Sequence, residues 1–273
     1  MKKRHFLAFF VGLVGAIALG LGLKTIAPTF GLNLFTPTST VAQNLVLVSA
    51  AASVQDALEE IKPLFEQANP NITLAFNFGS SGALLQQIEQ GAPVDVFISA
   101  APSQMNTLAE KDRLLPNTRQ NLLGNQLVLV VPKDSTLGLT GFPQLIDGRV
   151  RRISVGEFRS VPAGTYAEQV FANLGILNQL QPKFVFANNV RGVLSAVESG
   201  NVDVGVVYRT DAKVSDKVTP VAIAPENLHN PIVYPIAVIK TSRNPDAAKA
   251  FANFLNSATA SNVFKKYGFT TLD

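Results

Sequence analysis

Five short segments of this 273-residue chain set small residues, glycines and hydroxyls at the ends of apolar runs. They are Ala50-Ala51-Ala52-Ser53, Gly79-Ser80-Ser81-Gly82, Val161-Pro162-Ala163-Gly164, Asn189-Val190-Arg191-Gly192 and Val206-Val207-Tyr208. Apart from Arg191 they carry no charge, so what they offer is neutral hydrogen-bond donors. Where an apolar run is a strand and the next segment opens a helix, the first N–H groups of that helix lack intrahelical acceptors and carry a partial positive charge. Such helix starts, set at the carboxyl ends of strands in a sheet, receive anions. Taken singly, each segment reads more readily as a helix cap or a turn than as a ligand contact, by roughly three to one, since caps and turns use these residues everywhere. Ser53, with Asp56 three residues on, has the spacing of a capping box.

The elements that would position these segments follow from periodicity. Asn44–Ser49 reads as a strand, and Val54, Ala57, Leu58, Ile61, Leu64, Phe65 and Ala68 recur on one helical face, with Pro63 expected to kink it. The alternation continues with strand 73–78, helix 81–90, strand 94–99, helix 103–110, and strands 126–131 and 153–155. Helix 163–174, strand 184–187, helix 193–199, strand 204–208 and a late strand 233–239 follow. Asn244 as cap and Pro245 as first helical residue open a terminal helix. This pattern predicts an α/β protein of two lobes, each a mostly parallel sheet flanked by helices. Residues 44–128 and 233–273 belong to one lobe in this reading and residues 129–232 to the other, with Leu127–Val131 and Val233–Ile236 crossing between them.

Composition narrows the function. The formal charge of +4 comes wholly from Lys2, Lys3, Arg4 and Lys24, because residues 1–43 hold no Asp or Glu and the remainder balances 19 acidic residues with as many basic ones. No basic run exists after residue 43 to displace phosphate counterions, so no nucleic-acid partner is expected. The absence of Cys excludes disulfides, thiolate metal sites and a lipid on an N-terminal cysteine, and His5 and His229 are the only histidines. No metal-cation site and no cofactor are expected. A serine hydrolase using Ser53 or Ser81 would have only His229 as base and lacks a G-x-S-x-G elbow, so the chain is not read as an enzyme. An effector-sensing domain of a DNA-linked regulator fits the fold but lacks a helix-turn-helix region.

Met1–Arg4 followed by the apolar run Phe6–Leu23 reads as an export signal, with Thr40-Val41-Ala42 at the cleavage site and a mature start near Gln43 or Asn44. The apolar run is also long enough to remain as a membrane tether. Either way the body of the chain is placed in the periplasm.

In order, these segments resemble the periplasmic molybdate-binding proteins of bacterial ABC importers. The resemblance is carried by LVSAAASV at 47–54, FGSSGALLQQIEQGAPVDVFISA at 78–100, LLGNQLVLVVPK at 122–133, VPAGTYAEQ at 161–169, NVRGVLSAVESG at 189–200, VGVVYRTDA at 204–212 and FKKYGF at 264–269. It implies a type II periplasmic-binding fold, a monomer whose two lobes close on molybdate or tungstate and deliver it to an ABC permease. It also implies ligand contacts from Ser53 and Ser81 through hydroxyl and backbone, from Ala163 and Val190 through backbone N–H, and from the Tyr208 phenol, which should stand at the end of its strand facing the cleft. Two departures stand out: Gly82 replaces a third hydroxyl common among relatives, and the stretch GEFRS at 156–160 has no role supplied by the resemblance.

Every contact in that set is a neutral donor. A fully deprotonated dianion offers only acceptors and matches it, whereas phosphate keeps a proton that needs a buried acceptor, at a cost of ~1–3 kcal/mol if unpaired. Sulfate has the charge and shape of molybdate but is smaller, so only a rigid cage rejects it. The alternative reading is therefore a binding protein for sulfate, phosphate or a small organic anion. Of the remaining polar residues, Arg191 reads as neutralising a neighbouring acid, His229 as a surface residue, Tyr267 as packing, and Asp95 as ordering the turn near the first two segments.

Overall fold

β1 (Asn44–Ala51) is buried on both faces over its second half and pairs in parallel with β2 (Ile72–Gly79) and β3 (Val96–Ile98). The computed structural model describes residues 44–272, and the export-signal reading of residues 1–43 lies outside the described residues. α1 (Gln55–Ala68) and α2 (Ser81–Glu89) connect these strands, burying Ala57, Leu58, Ile61 and Phe65 from one and Leu84 and Ile88 from the other. α1 continues through Pro63. After α3 (Pro102–Glu110), β4 (Gln120–Gly124) stands in the first sheet and β5 (Leu127–Pro132) in the second, with only Asn125 and Gln126 between them.

The second sheet has the order β7-β6-β8-β5-β9. Its strands are β6 (Ile153–Gly156), β7 (Phe184–Ala187), β8 (Val204–Tyr208) and β9 (Val218–Ile223), together with β5. Helices α4 (Pro162–Asn173), α5 (Leu177–Leu180), α6 (Val190–Glu198) and α7 (Arg209–Lys213) connect and cover them. β10 (Val233–Val238) then returns to the first sheet, followed by α8 (Pro245–Phe254), α9 (Ala258–Tyr267) and the short β11 (Thr270–Thr271), for an order β11-β4-β10-β3-β1-β2. No helix among the described residues is long and apolar enough to cross a membrane.

The α/β two-lobe architecture is as the sequence pattern predicts, but the sheets are mixed rather than mostly parallel. Among the described strands, β1–β2, β1–β3, β6–β7 and β6–β8 are parallel, and the pairings that involve β4, β5, β9, β10 and β11 are antiparallel. Parallel pairing follows the strand–helix–strand units; the segments that pass between sheets enter without such a crossover and run the other way. β5 and β10 each pair along their length within one sheet, so the chain changes sheets at Asn125–Gln126 and again over residues 224–232. Two prolines lie inside strands where the ladder tolerates them: Pro220 in the edge strand β9, and Pro235 beside a register shift in β10.

Candidate functional site

The five segments found in the sequence converge. Ser53 sits in a single 3-10 turn, Ala52–Val54, between β1 and α1. The capping box expected of Ser53 and Asp56 does not form, because α1 starts at Gln55 without a side-chain cap and the Ser53 hydroxyl is drawn elsewhere. Its Oγ lies 2.9 Å from the phenol oxygen of Tyr234. That phenol accepts from Asn125 Nδ2 at 3.1 Å, and the same amide donates to Thr210 Oγ1 at 2.9 Å. Either oxygen of the Ser53–Tyr234 pair can donate; when the phenol gives its hydrogen to Ser53, the Ser53 hydrogen is left for the cavity.

Ser81 is the first residue of α2, and Ser80 rather than Ser81 caps that helix, accepting from the Ala83 N–H at 3.3 Å. The Ser81 Oγ accepts from the Ala100 N–H at 2.9 Å, so its hydrogen too is free to point outward. Ala163 follows Pro162 at the start of α4, ahead of the first i→i−4 acceptor. Val190 is the first residue of α6, whose cap Asn189 accepts from the Gly192 N–H at 2.9 Å. Tyr208 ends β8, fully buried, with its ring edge-on to Tyr234 at 5.7 Å and its hydroxyl 3.5 Å from the carbonyl of Ala100 in the other lobe.

Ser53, Ser81, Ala163, Val190 and Tyr208 line one small cavity of about 10 Å³, and its other lining residues are Ala, Gly, Ser, Val or Pro. No charged side chain lines it. Arg191, next to Val190, does not line the cavity: it pairs with Asp56 from α1, and its Nε lies 2.8 Å from Asp211 Oδ1 as an ion pair without hydrogen-bond geometry. The other Asp211 oxygen accepts the Tyr208 backbone N–H at 3.1 Å. The arrangement keeps Arg191 from acting as an anion clamp while fixing the end of β8. Among the described residues no group of three or more acids or histidines is placed to hold a metal ion.

Burial pushes the phenols of Tyr208 and Tyr234 well above their ordinary range, so both stay protonated donors. Burial also pushes the Asp211 carboxyl up to about 6, against the opposing pull of Arg191 and the Tyr208 N–H. A raised folded-state value means that folding takes up a proton between roughly pH 4 and pH 6; the stability Asp211 contributes is complete below that window and lost as pH rises through about 6. Asp211→Asn should remove this slope. The unfolding free energy of wild type relative to the variant is expected to fall by up to about 3 kcal/mol between pH 4 and pH 7 in urea titrations, and a pH-independent difference would contradict the assignment.

Tyr234, Asn125, Thr210, Ala100 and Asp211 were not found from the sequence. Tyr234 is 181 residues from Ser53, and the only local signal is a phenol inside the apolar run VYPIAV. Asp95 orders a different turn from the one expected. It accepts from Leu47 N at 2.7 Å, Ser242 Oγ at 2.5 Å and Arg243 N at 3.2 Å, tying β1 to the turn after β10. His229 is half-buried, edge-on to Tyr166 at 5.9 Å, and the Tyr267 hydroxyl donates to Glu60 at 2.8 Å.

Two lobes holding a donor-lined cavity between the ends of their strands define a two-lobe solute-binding fold. The model of the bacterial extracellular solute-binding protein family matches residues 46–270, and the chain belongs to that family. A chain of Bacillus subtilis (strain 168), provisionally named an ABC transporter substrate-binding lipoprotein, is 45% identical over 82% of this chain and 85% of its own length. The molybdate-binding protein of Escherichia coli (strain K12) is 39% identical over 82% of this chain and 88% of its own. The solved periplasmic molybdate-binding protein of Azotobacter vinelandii superposes with a TM-score of 0.75 at 25% identity, covering 84% of this chain and all of that one.

Proposed function

We propose that the chain captures molybdate, with tungstate as its close analogue, between its two lobes outside the cytoplasmic membrane and delivers it to an ABC permease. It acts in this reading as a monomeric, non-catalytic binding protein without a cofactor. The observation that carries the reading is a cavity lined by neutral donors and by no charged side chain, with Ser53, Ser81, Ala163, Val190 and Tyr208 as the contacts. The names of the relatives support the same ligand. An acceptor-only dianion satisfies such donors, and a protonated phosphate does not. About five to seven charge-assisted hydrogen bonds give a gross ~8–20 kcal/mol, which lobe closure reduces to the ~8–12 kcal/mol of micromolar to nanomolar binding.

Calorimetry of the mature chain against molybdate, tungstate, sulfate and phosphate tests this. Strong heats for the first two and weak or no heats for the others are expected, and a preference for sulfate or phosphate would replace the ligand assignment. Ser53→Ala and Ser81→Ala should each weaken molybdate binding by ~1–3 kcal/mol. Each should also lower stability, because the first strips the buried Tyr234 phenol of its hydrogen-bond partner and the second strips the Ala100 N–H of its acceptor. A variant that loses stability with full affinity would make that serine a structural residue only.

A further inference from the structure

Gly82 is the second residue of α2, in ordinary right-handed backbone, so no left-handed φ requires a glycine there. Within a helix it is a poor choice compared with alanine. What explains it lies in the other lobe. The Gly82 N–H donates to the carbonyl oxygen of Ser160 at 2.9 Å, and a Cβ on Gly82 would stand 2.6 Å from that oxygen and 2.7 Å from the Ser160 Cα. Both are backbone atoms and cannot rotate aside. The Ser160 end of this contact is itself held. The Glu157 carboxylate accepts from Arg159 N at 3.1 Å, Ser160 N at 2.9 Å and Ser160 Oγ at 2.8 Å, and the Glu157 backbone N–H donates to Ala187 at 2.9 Å. Residues 157–160 therefore form a pre-shaped turn that aims one carbonyl across the cleft, next to Ser81 on one side and Val161 of the cavity wall on the other.

We propose that Gly82 and the Glu157–Ser160 turn are the positioning residues that set how closely the two lobes approach, and through that distance which size of tetrahedral oxyanion the donors can grip. The proposal rests on the oxyanion reading of the cavity. The Gly82 amide is spent on Ser160 rather than on the anion, so its contribution is geometric: the missing side chain lets the Ser81 side of the cage close against the Ala163 side. Any side chain at position 82 props the lobes apart and leaves the anion held by one lobe at a time, a state in which molybdate and sulfate differ little.

The test is titration calorimetry with molybdate and with sulfate, stopped-flow release of molybdate, and ligand-free melting temperature, on wild type, Gly82→Ala and Glu157→Ala. For Gly82→Ala the molybdate Kd should rise by about tenfold or more, mainly through faster release, and the molybdate-over-sulfate preference should narrow. Its ligand-free melting temperature should hold or rise, because alanine suits the helix better once the lobes are apart. Glu157→Ala, which loosens the turn without adding bulk, should give a smaller loss in the same direction, about threefold, and it carries the test if Gly82→Ala does not fold. A wild-type chain that binds neither anion sinks the oxyanion reading and this proposal with it. A wild type that binds molybdate while both variants keep its affinity and selectivity overturns this proposal alone.

Discussion

Gly164→Ala is expected to lower the unfolding free energy of the ligand-free protein by about 3 kcal/mol, the upper end of the usual cost of overpacking. A Cβ at this position would lie 2.1 Å from the Gly156 carbonyl oxygen and 2.6 Å from its carbon. Both belong to the end of β6, and the helix that carries Gly164 is anchored by Val161, Tyr166 and Val170 in the core, so neither side can give way cheaply. The better helix propensity of alanine returns only about 0.5–1 kcal/mol, so the clash decides the sign. Binding should fall as well, since α4 can relieve the contact only by lifting its first turn, and the Ala163 N–H with it, off the strand. Urea denaturation reads the first effect and calorimetry with molybdate the second. Gly148→Ala is the control: nothing lies within 4 Å of its Cβ, and its stability should stay within about 0.5 kcal/mol of wild type. Unchanged stability in Gly164→Ala would mean that the close seat of α4 on β6 does not place the Ala163 amide.

The fold was legible where one local period governs a segment. β7 and β8 begin and end as the apolar runs predict, and α4 starts at Pro162, one residue from expectation, because a proline at the first helical position announces itself. Of the run from Leu122 to Val131 only residues 126–131 were legible as a strand. β4 was missed, because the chain leaves one sheet for the other at Asn125–Gln126, and nothing in a hydrophobic pattern says which sheet a residue joins. β9 was hidden by Pro220, which an edge strand tolerates, and α9 by the weak apolar face of ATASNVFKKY.

The candidate site divides along the same line. Ser53, Ser81, Ala163, Val190 and Tyr208 announce themselves as segment ends. The groups that aim them do not, because each acts from far along the chain: Tyr234 on Ser53, Ala100 on Ser81, Asp211 on the end of β8. Arg191 is the instructive case. By sequence it stands beside Val190, a proposed contact, and could have been a clamp; by structure two carboxylates, Asp56 from one lobe and Asp211 from the other, pair with it. A positive charge facing the cavity would favour every anion alike, so its removal leaves discrimination to geometry and to donor count.

Tyr208→Phe should cost about 2–3 kcal/mol of molybdate affinity, the value of one charge-assisted hydrogen bond in a site closed to water, and the loss should fall on the release rate. Tyr208 belongs to the second lobe, yet its hydroxyl reaches the Ala100 carbonyl of the first at 3.5 Å, the outer limit of a hydrogen bond. So weak a contact costs little to exchange for an anion oxygen. The hydroxyl lies near the Ser81 side of the cavity, since the Ala100 amide is what holds the Ser81 Oγ. Phenylalanine keeps the ring and its edge-on packing against Tyr234 at 5.7 Å, so the fold and the ligand-free melting temperature should not move. Association should change little, because the amides of Ala163 and Val190 still receive the anion before the lobes meet. Release should quicken by roughly 30- to 150-fold, the same energy expressed as a rate. Stopped-flow dissociation measures it directly. An unchanged off-rate would remove Tyr208 from the contacts and leave its phenol as a contact between lobes alone.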